Sequence, residues 1–171
     1  MPEPTEPTEP TVPPTLPEEF GVYFALLEAG ALVQHGVERQ LRADGDLSFT
    51  QFQILAILGE PRPAPRTMTD LADRLVHSRS GLTYQVDRLE KAGLVARAPS
   101  PDDERSITVT LTERGSALLE RVLPGHVEVV RDLLVDALEP REREELTRLL
   151  ALVGRRMRAR PPRSARRHPI A

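Results

Sequence analysis

At 171 residues, with 29% charged residues, 4% aromatics and no Trp, the chain has material for one compact domain with tails. Its core must come from Leu, Val, Ile and Ala, which favours helices. The lack of Cys excludes disulfides, thiolate zinc sites and sensing by a reactive thiol.

No apolar run approaches the roughly 18 residues that a bilayer span needs. The N-terminus is acidic and Pro-rich where a leader would be basic and then apolar, so a cytoplasmic protein with no membrane partner is expected. A single Lys among 23 basic residues, and no Asn, read as the codon bias of a GC-rich bacterial genome. Net charge is −3, with five acids and no base in residues 1–20 and seven bases and no acid in residues 155–171. An acidic body argues against coating nucleic acid non-specifically, so a specific binder would have to concentrate its positive charge locally.

Residues 1–17 hold seven Pro and repeated Glu-Pro-Thr, which cannot propagate a helix and bury almost nothing; a disordered acidic tail is expected. Tyr23, Leu26, Leu27, Val33, Val37 and Leu41 then recur at helical spacing, with the helix ending before the turn Ala43–Asp46. Ser48 and Gln51 form a capping-box pair that opens a short helix through Phe52, Leu55 and Leu58, and the three Pro of residues 59–66 follow it.

Thr67 and Asp70 repeat the capping pattern before Leu71, Ala72 and Leu75. Ser78 can cap a further helix with Leu82, Val86 and Leu89 on its core face, and Gly93 stands where a helix end wants positive φ. Asp70/Arg74 and Asp87/Lys91 are spaced as i,i+4 pairs.

After Gly93 the period changes to two. Residues 94–97 and 107–111 read as strands, with Ile107, Val109 and Leu111 on one face and a polar, turn-rich tip over residues 98–106. Thr112 can cap a long helix reaching Leu138 and kinked by Pro124, and Pro140 can open a last helix through Met157. These terminal helices carry more apolar surface than one small wing domain covers, and dimerisation would bury the excess.

The run LADRLVHSRSGLTYQVDRLEKAGLVARAPSPDDERSITVTLTERG, residues 71–115, resembles the DNA-binding region of the multiple-antibiotic-resistance regulator (MarR) family, and the resemblance extends over about residues 20–158. It implies a mainly α fold with a small β-hairpin wing: a winged helix-turn-helix plus terminal helices that form a dimerisation region. The expected organisation is a DNA-binding lobe at about 48–112, dimerisation helices at about 18–44 and 113–158, and a basic disordered tail at 159–171.

In that family the helix matching residues 78–92 enters the major groove of duplex DNA and the wing tip enters a minor groove. Facing away from Leu82, Val86 and Leu89, the candidate contacts are Ser78, Arg79, Ser80, Thr83, Tyr84 and Arg88, where hydroxyls and Arg forks suit base edges and phosphates. Tyr84 has an alternative place packed under the helix. In the wing, Asp103, Glu104 and Arg105 match the family's Asp-x-Arg element, in which the Arg reads the minor groove and the Asp orients it. Arg97 is a candidate phosphate contact. Residues 66–105 carry seven bases and seven acids, so composition alone does not say DNA.

Family analogy suggests a repressor that binds a pseudo-palindromic operator as a homodimer and is released by a small organic ligand, aromatic or phenolic anions being common effectors in the family. Tyr23, Phe24, His35 and Phe52 are the candidates for lining the effector cleft. The four His are scattered, and His35 with His126 is the most attractive zinc pair, but no metal or cofactor is assigned. The chain has no Gly-rich phosphate loop, no G-x-S-x-G and no H-E-x-x-H, so it is not read as an enzyme. The alternative to a DNA-binding regulator is a winged-helix protein-interaction module, against which Arg79, Arg88 and Arg105 argue.

Overall fold

The computed structural model describes residues 16–60, 65–75, 79–100 and 106–159. The chain divides into two units within its first long helix, Met1–Leu32 and Val33–Ala171. A 3-10 turn at Glu18–Phe20 leads into α1, Gly21–Gly45.

In the first unit, Phe20, Val22, Tyr23, Phe24, Leu26, Leu27 and Leu32 are all exposed. Tyr23 and Phe24 meet edge to face, with ring centroids 5.3 Å apart. Residues Glu18–Gly45 form a helical stretch of 28 residues that is long and apolar enough to cross a membrane. It meets that test by length and composition alone and is not an unbroken apolar run, since Glu28, Gln34 and His35 interrupt it.

The second unit starts with the rest of α1 and continues with α2, Phe49–Leu58; β1, Arg66–Thr67; α3, Met68–Leu75; and α4, Arg79–Lys91. Then come β2, Val95–Pro99; β3, Ile107–Leu111; α5, Glu113–Val130; a π turn, Arg131–Val135; and α6, Pro140–Arg158. The fold is therefore mostly helical with a small antiparallel sheet, in the order β1-β3-β2.

Local signals explain many of these ends. At the start of α2, the Ser48 hydroxyl accepts from Gln51 N at 3.2 Å and the Gln51 side chain accepts from Ser48 N at 3.0 Å, the reciprocal box that the spacing predicts. The Thr67 hydroxyl accepts from Asp70 N at 3.1 Å. Glu139 and Glu142 make a further capping box, unforeseen, with Pro140 in the first turn of α6.

Some elements depart from expectation. Helix α1 runs through Ala43–Gly45 and ends only at Asp46, whose φ is +50°. Helix α5 continues through the exposed Pro124, which removes one N–H, and the irregular turn falls later, at Arg131–Val135. Strand β1 was not foreseen. It pairs Arg66 with Val109 and Thr67 with Thr108, which makes β3 the central strand and buries Thr108 as well as Val109. Ile107, expected on one face with Val109 and Leu111, is 42% exposed at the end of the hairpin nearer the tip, while Val109 is buried.

The core gathers Val37 and Leu41 of α1, Ile54 and Leu55 of α2, Leu71 of α3, Leu82, Val86 and Leu89 of α4, Val109 of β3 and Val122 of α5. Complete burial of each such side chain contributes about 1.5–3 kcal/mol. This shared core fixes α4 with its opposite face outward.

Candidate nucleic-acid interface

Helix α4 exists where it does because Leu82, Val86 and Leu89 recur every three to four residues and are each at most 1% exposed. The same spacing turns Ser80, Thr83, Tyr84 and Arg88 outward. Tyr84 is 58% exposed, so its ring is on the outer face and not under the helix. Arg79 is the first residue of α4. Ser78, Asp103, Glu104 and Arg105 lie outside the described residues.

The end of α4 is locked to the wing and to α5. Gly93 takes φ +71°, a conformation that favours glycine, and Leu94 N donates to Leu89 O at 2.9 Å. The Thr112 hydroxyl donates to Gly93 O at 2.8 Å and accepts from Gly115 N at 3.1 Å. One side chain thus joins the end of α4 to the start of α5. Gly115 lies so close to the Leu94 carbonyl oxygen that a Cβ there would collide with it.

In the wing, β2 and β3 pair from Val95–Leu111 to Pro99–Ile107, and Ser100 N donates to Ser106 O at 2.8 Å. Arg97 ties this hairpin to α4. Its Nη1 lies 2.5 Å from Asp87 Oδ1 and 3.5 Å from Glu90 Oε2, while Nη2 donates to Thr83 O at 3.3 Å. The guanidinium expected at a phosphate is turned onto α4, and Asp87 of α4 pairs with Arg97 of β2 where sequence spacing suggests Lys91.

A second clamp holds α3. Glu60 receives Arg66 Nη2 at 3.0 Å and Arg74 through both terminal nitrogens, at 2.5 and 3.1 Å. The Arg74 hydrogen bond first, and then the charges of both Arg, hold the Glu60 carboxyl below its usual range. Asp70, expected to pair with Arg74, stands 3.5 Å from Arg66. Sequence reasoning missed this clamp because Glu60 and Arg74 are 14 positions apart and no local pattern links them.

These pairings bear on the formal neutrality of residues 66–105. Asp87 and Glu90 are drawn onto Arg97, so two acids of this segment are neutralised where the hairpin supports α4, while Glu60, from outside the segment, takes up Arg66 and Arg74. The outer face keeps its hydroxyls and Arg88.

The aromatic candidates fall in both units. Tyr23 and Phe24 are in the first unit, His35 is exposed on α1, and Phe52 is 5% exposed in the core, stacked on His126 with centroids 4.4 Å apart. Burial pushes the His126 imidazole pKa down, and its Nδ1 has no hydrogen-bond partner. Among the described residues no cluster of three or more His, Asp or Glu could hold a metal ion.

A helix pair with an outward polar face, followed in register by a braced hairpin, defines a winged helix-turn-helix. A model of the MarR family matches residues 45–106. The chain is 42% identical over 111 residues to the transcriptional regulator PecS of Dickeya dadantii, an alignment covering 64% of each protein, so it spans slightly less than two thirds of PecS.

Among solved structures, the MarR-family regulator Sco3205 of Streptomyces coelicolor, in complex with DNA, superposes with a TM-score of 0.78 at 33% identity, covering 87% of this chain and 94% of that one. The regulator AbsC of the same organism superposes with a TM-score of 0.79 at 31% identity, covering 86% and 99%. The chain belongs to the MarR family of transcriptional regulators. Its relatives are regulators of transcription and not enzymes.

Proposed function

We propose that the protein is a homodimeric, sequence-specific binder of duplex DNA, acting in the bacterial cytoplasm as a repressor that a small organic anion releases. The observation that carries this reading is the outward face of α4, Ser80, Thr83, Tyr84 and Arg88, held by Arg97 at a fixed angle to the wing. Ser78 and Arg79 are assigned to the same contact from their sequence positions at the helix start, where N–H groups and hydroxyls suit phosphates. Arg105, oriented by Asp103, is assigned to the minor groove and Arg97 to positioning. In this reading the DNA-binding lobe is about residues 48–112 and the helices at about 18–44 and 113–158 serve the dimer.

The dimer is supported by exposed apolar side chains that a second copy would cover, among them Leu149, Leu150, Leu152 and Val153 of α6. For the effector, a groove of about 660 Å³ lies between α2 and α3, with Phe52, Gln53, Arg74 and Arg158 on its walls. Of the four aromatic candidates it is Phe52 that lines it.

A mobility-shift assay on the DNA upstream of the protein's own gene tests the reading. A specific complex at physiological salt is expected, and Arg105→Ala should weaken it by about 1–3 kcal/mol while leaving the dimer intact. No retardation beyond that of random DNA would make the chain a protein-interaction module instead.

A further inference from the structure

A second concavity, of about 450 Å³, opens where the C-terminal end of α4 meets the first turns of α2 and α5. Three guanidinia line it, from Arg88, Arg114 and Arg121, against one carboxylate, Asp46. Among the described residues none of these three Arg side chains makes a hydrogen bond or an ion pair, whereas those of Arg66, Arg74, Arg97 and Arg148 are paired. Arg114 reaches over Gly93, its Nη1 being 3.9 Å from where a Cβ there would sit.

Clustered like charges around a concave surface repel one another until an anion arrives, and the apolar floor of Leu89 and Leu118 lowers the local dielectric and strengthens its attraction. The planar fork of Arg matches carboxylate and phosphate oxygens two at a time. The N-terminal turns of α2 and α5 add dipoles of the favourable sign, opposed by the C-terminal ends of α4 and α1, so the Arg charges carry the attraction.

We propose that this cleft binds a small anion of at least two negative charges, presented as phosphate or carboxylate groups, gripped by Arg114 and Arg121 with Arg88. Its occupant joins the last turn of α4 to α5. It therefore acts on the seating of α4 from the end opposite Arg79, at a place distinct from the groove beside Phe52.

The test is calorimetric titration of the full chain with pyrophosphate and, separately, with citrate, at ionic strength held constant with sodium chloride. Saturable binding of one anion per chain by at least one probe is expected, and which probe binds decides between phosphate and carboxylate. Arg114→Gln and Arg121→Gln should each raise Kd at least fivefold, and the double variant should abolish binding. Arg39→Gln, an exposed arginine away from the cleft, should change nothing.

Because Arg114 and Arg121 are exposed and unpaired, the variants should melt like wild type without anion. Should the double variant melt early, the single variants carry the test. Absence of binding by both probes, or an equal loss in Arg39→Gln, overturns the proposal. So does a double variant that binds both anions normally but loses affinity for duplex DNA with a flatter salt slope, since the arginines would then contact backbone phosphates.

Discussion

Helices α2 to α4 and helix α6 all carry aliphatic side chains at helical spacing and bury them differently. Ile54, Leu55, Leu71, Leu82 and Val86 are at most 1% exposed, whereas α6 has no buried residue and shows Leu149, Leu150, Leu152, Val153 and Met157 at 43–68%. The first region is complete within one chain. The second holds its helix on local devices, the Glu139–Glu142 capping box and the Glu145–Arg148 pair, and leaves its apolar stripe for a surface from elsewhere. Under the proposed dimer this stripe is the surface that a second copy would cover.

The contrast predicts two kinds of instability. Leu55→Ala removes side-chain atoms from a filled core and should cost about 2–5 kcal/mol in urea unfolding, independent of protein concentration. Val153→Asp places a charge on the exposed stripe, where one chain has nothing to disrupt. Under the dimer reading it should dissociate the protein in sedimentation velocity and make the thermal midpoint of the remaining dimer strongly dependent on concentration. If Val153→Asp leaves a dimer, α6 is not the interface. If Leu55→Ala has no cost, the lobe is not the self-contained core described above.

A smaller effect separates positioning from contact within the lobe. Arg97→Ala breaks the link from β2 to Asp87, Glu90 and the Thr83 carbonyl, and it frees two acids on α4, the helix proposed to read DNA. Specific DNA affinity should fall about tenfold, equivalent to about 1.4 kcal/mol. Because no phosphate contact is lost, the slope of log K against log salt should remain that of wild type, whereas a lost phosphate contact would reduce it by about one. A slope reduced by one would return Arg97 to the phosphate-contacting role.

How much of this was legible in the sequence follows from the range of each interaction. The box at Ser48–Gln51, the cap at Thr112 and the positive φ of Gly93 act within a few residues, and the letters carry them. The core of α4 was equally legible, because Leu82, Val86 and Leu89 repeat the helical period. Strand β1 is two residues long and is a strand only because β3 lies beside it, so no period could announce it. The partners of Arg74 and Arg97 were hidden for the same reason: each is a carboxylate or carbonyl brought near by the fold, while the nearest acid in sequence spacing, Asp70 for Arg74, went to Arg66.

The finest test lies on α5, which belongs to both regions: Val122 is in the core while Leu123 and Val127 are exposed. His126 stacks on Phe52 with a buried, unpartnered Nδ1, and burial pushes its pKa below the ordinary value of 6.5. A folded-state pKa below the unfolded one means that the unfolded chain takes up the proton first. This contribution to stability is therefore intact above pH 6.5 and is lost as the pH falls through the lowered folded value. Glu60, held down by Arg74 and Arg66, gives a loss of the same sign in a separate window, below its ordinary 4.5. His126→Phe keeps a ring against Phe52 and removes the titrating nitrogen. Its thermal midpoint should differ from that of wild type by a constant amount at pH 7.5 and above, and the difference should move in the variant's favour as the pH falls from 6.5 toward 5. The acid limb below 4.5 should persist in both proteins and flatten only in Glu60→Gln. Parallel melting curves for wild type and His126→Phe from pH 7.5 to 5 would show that the imidazole accepts its proton in place and that the α2–α5 junction is open to water.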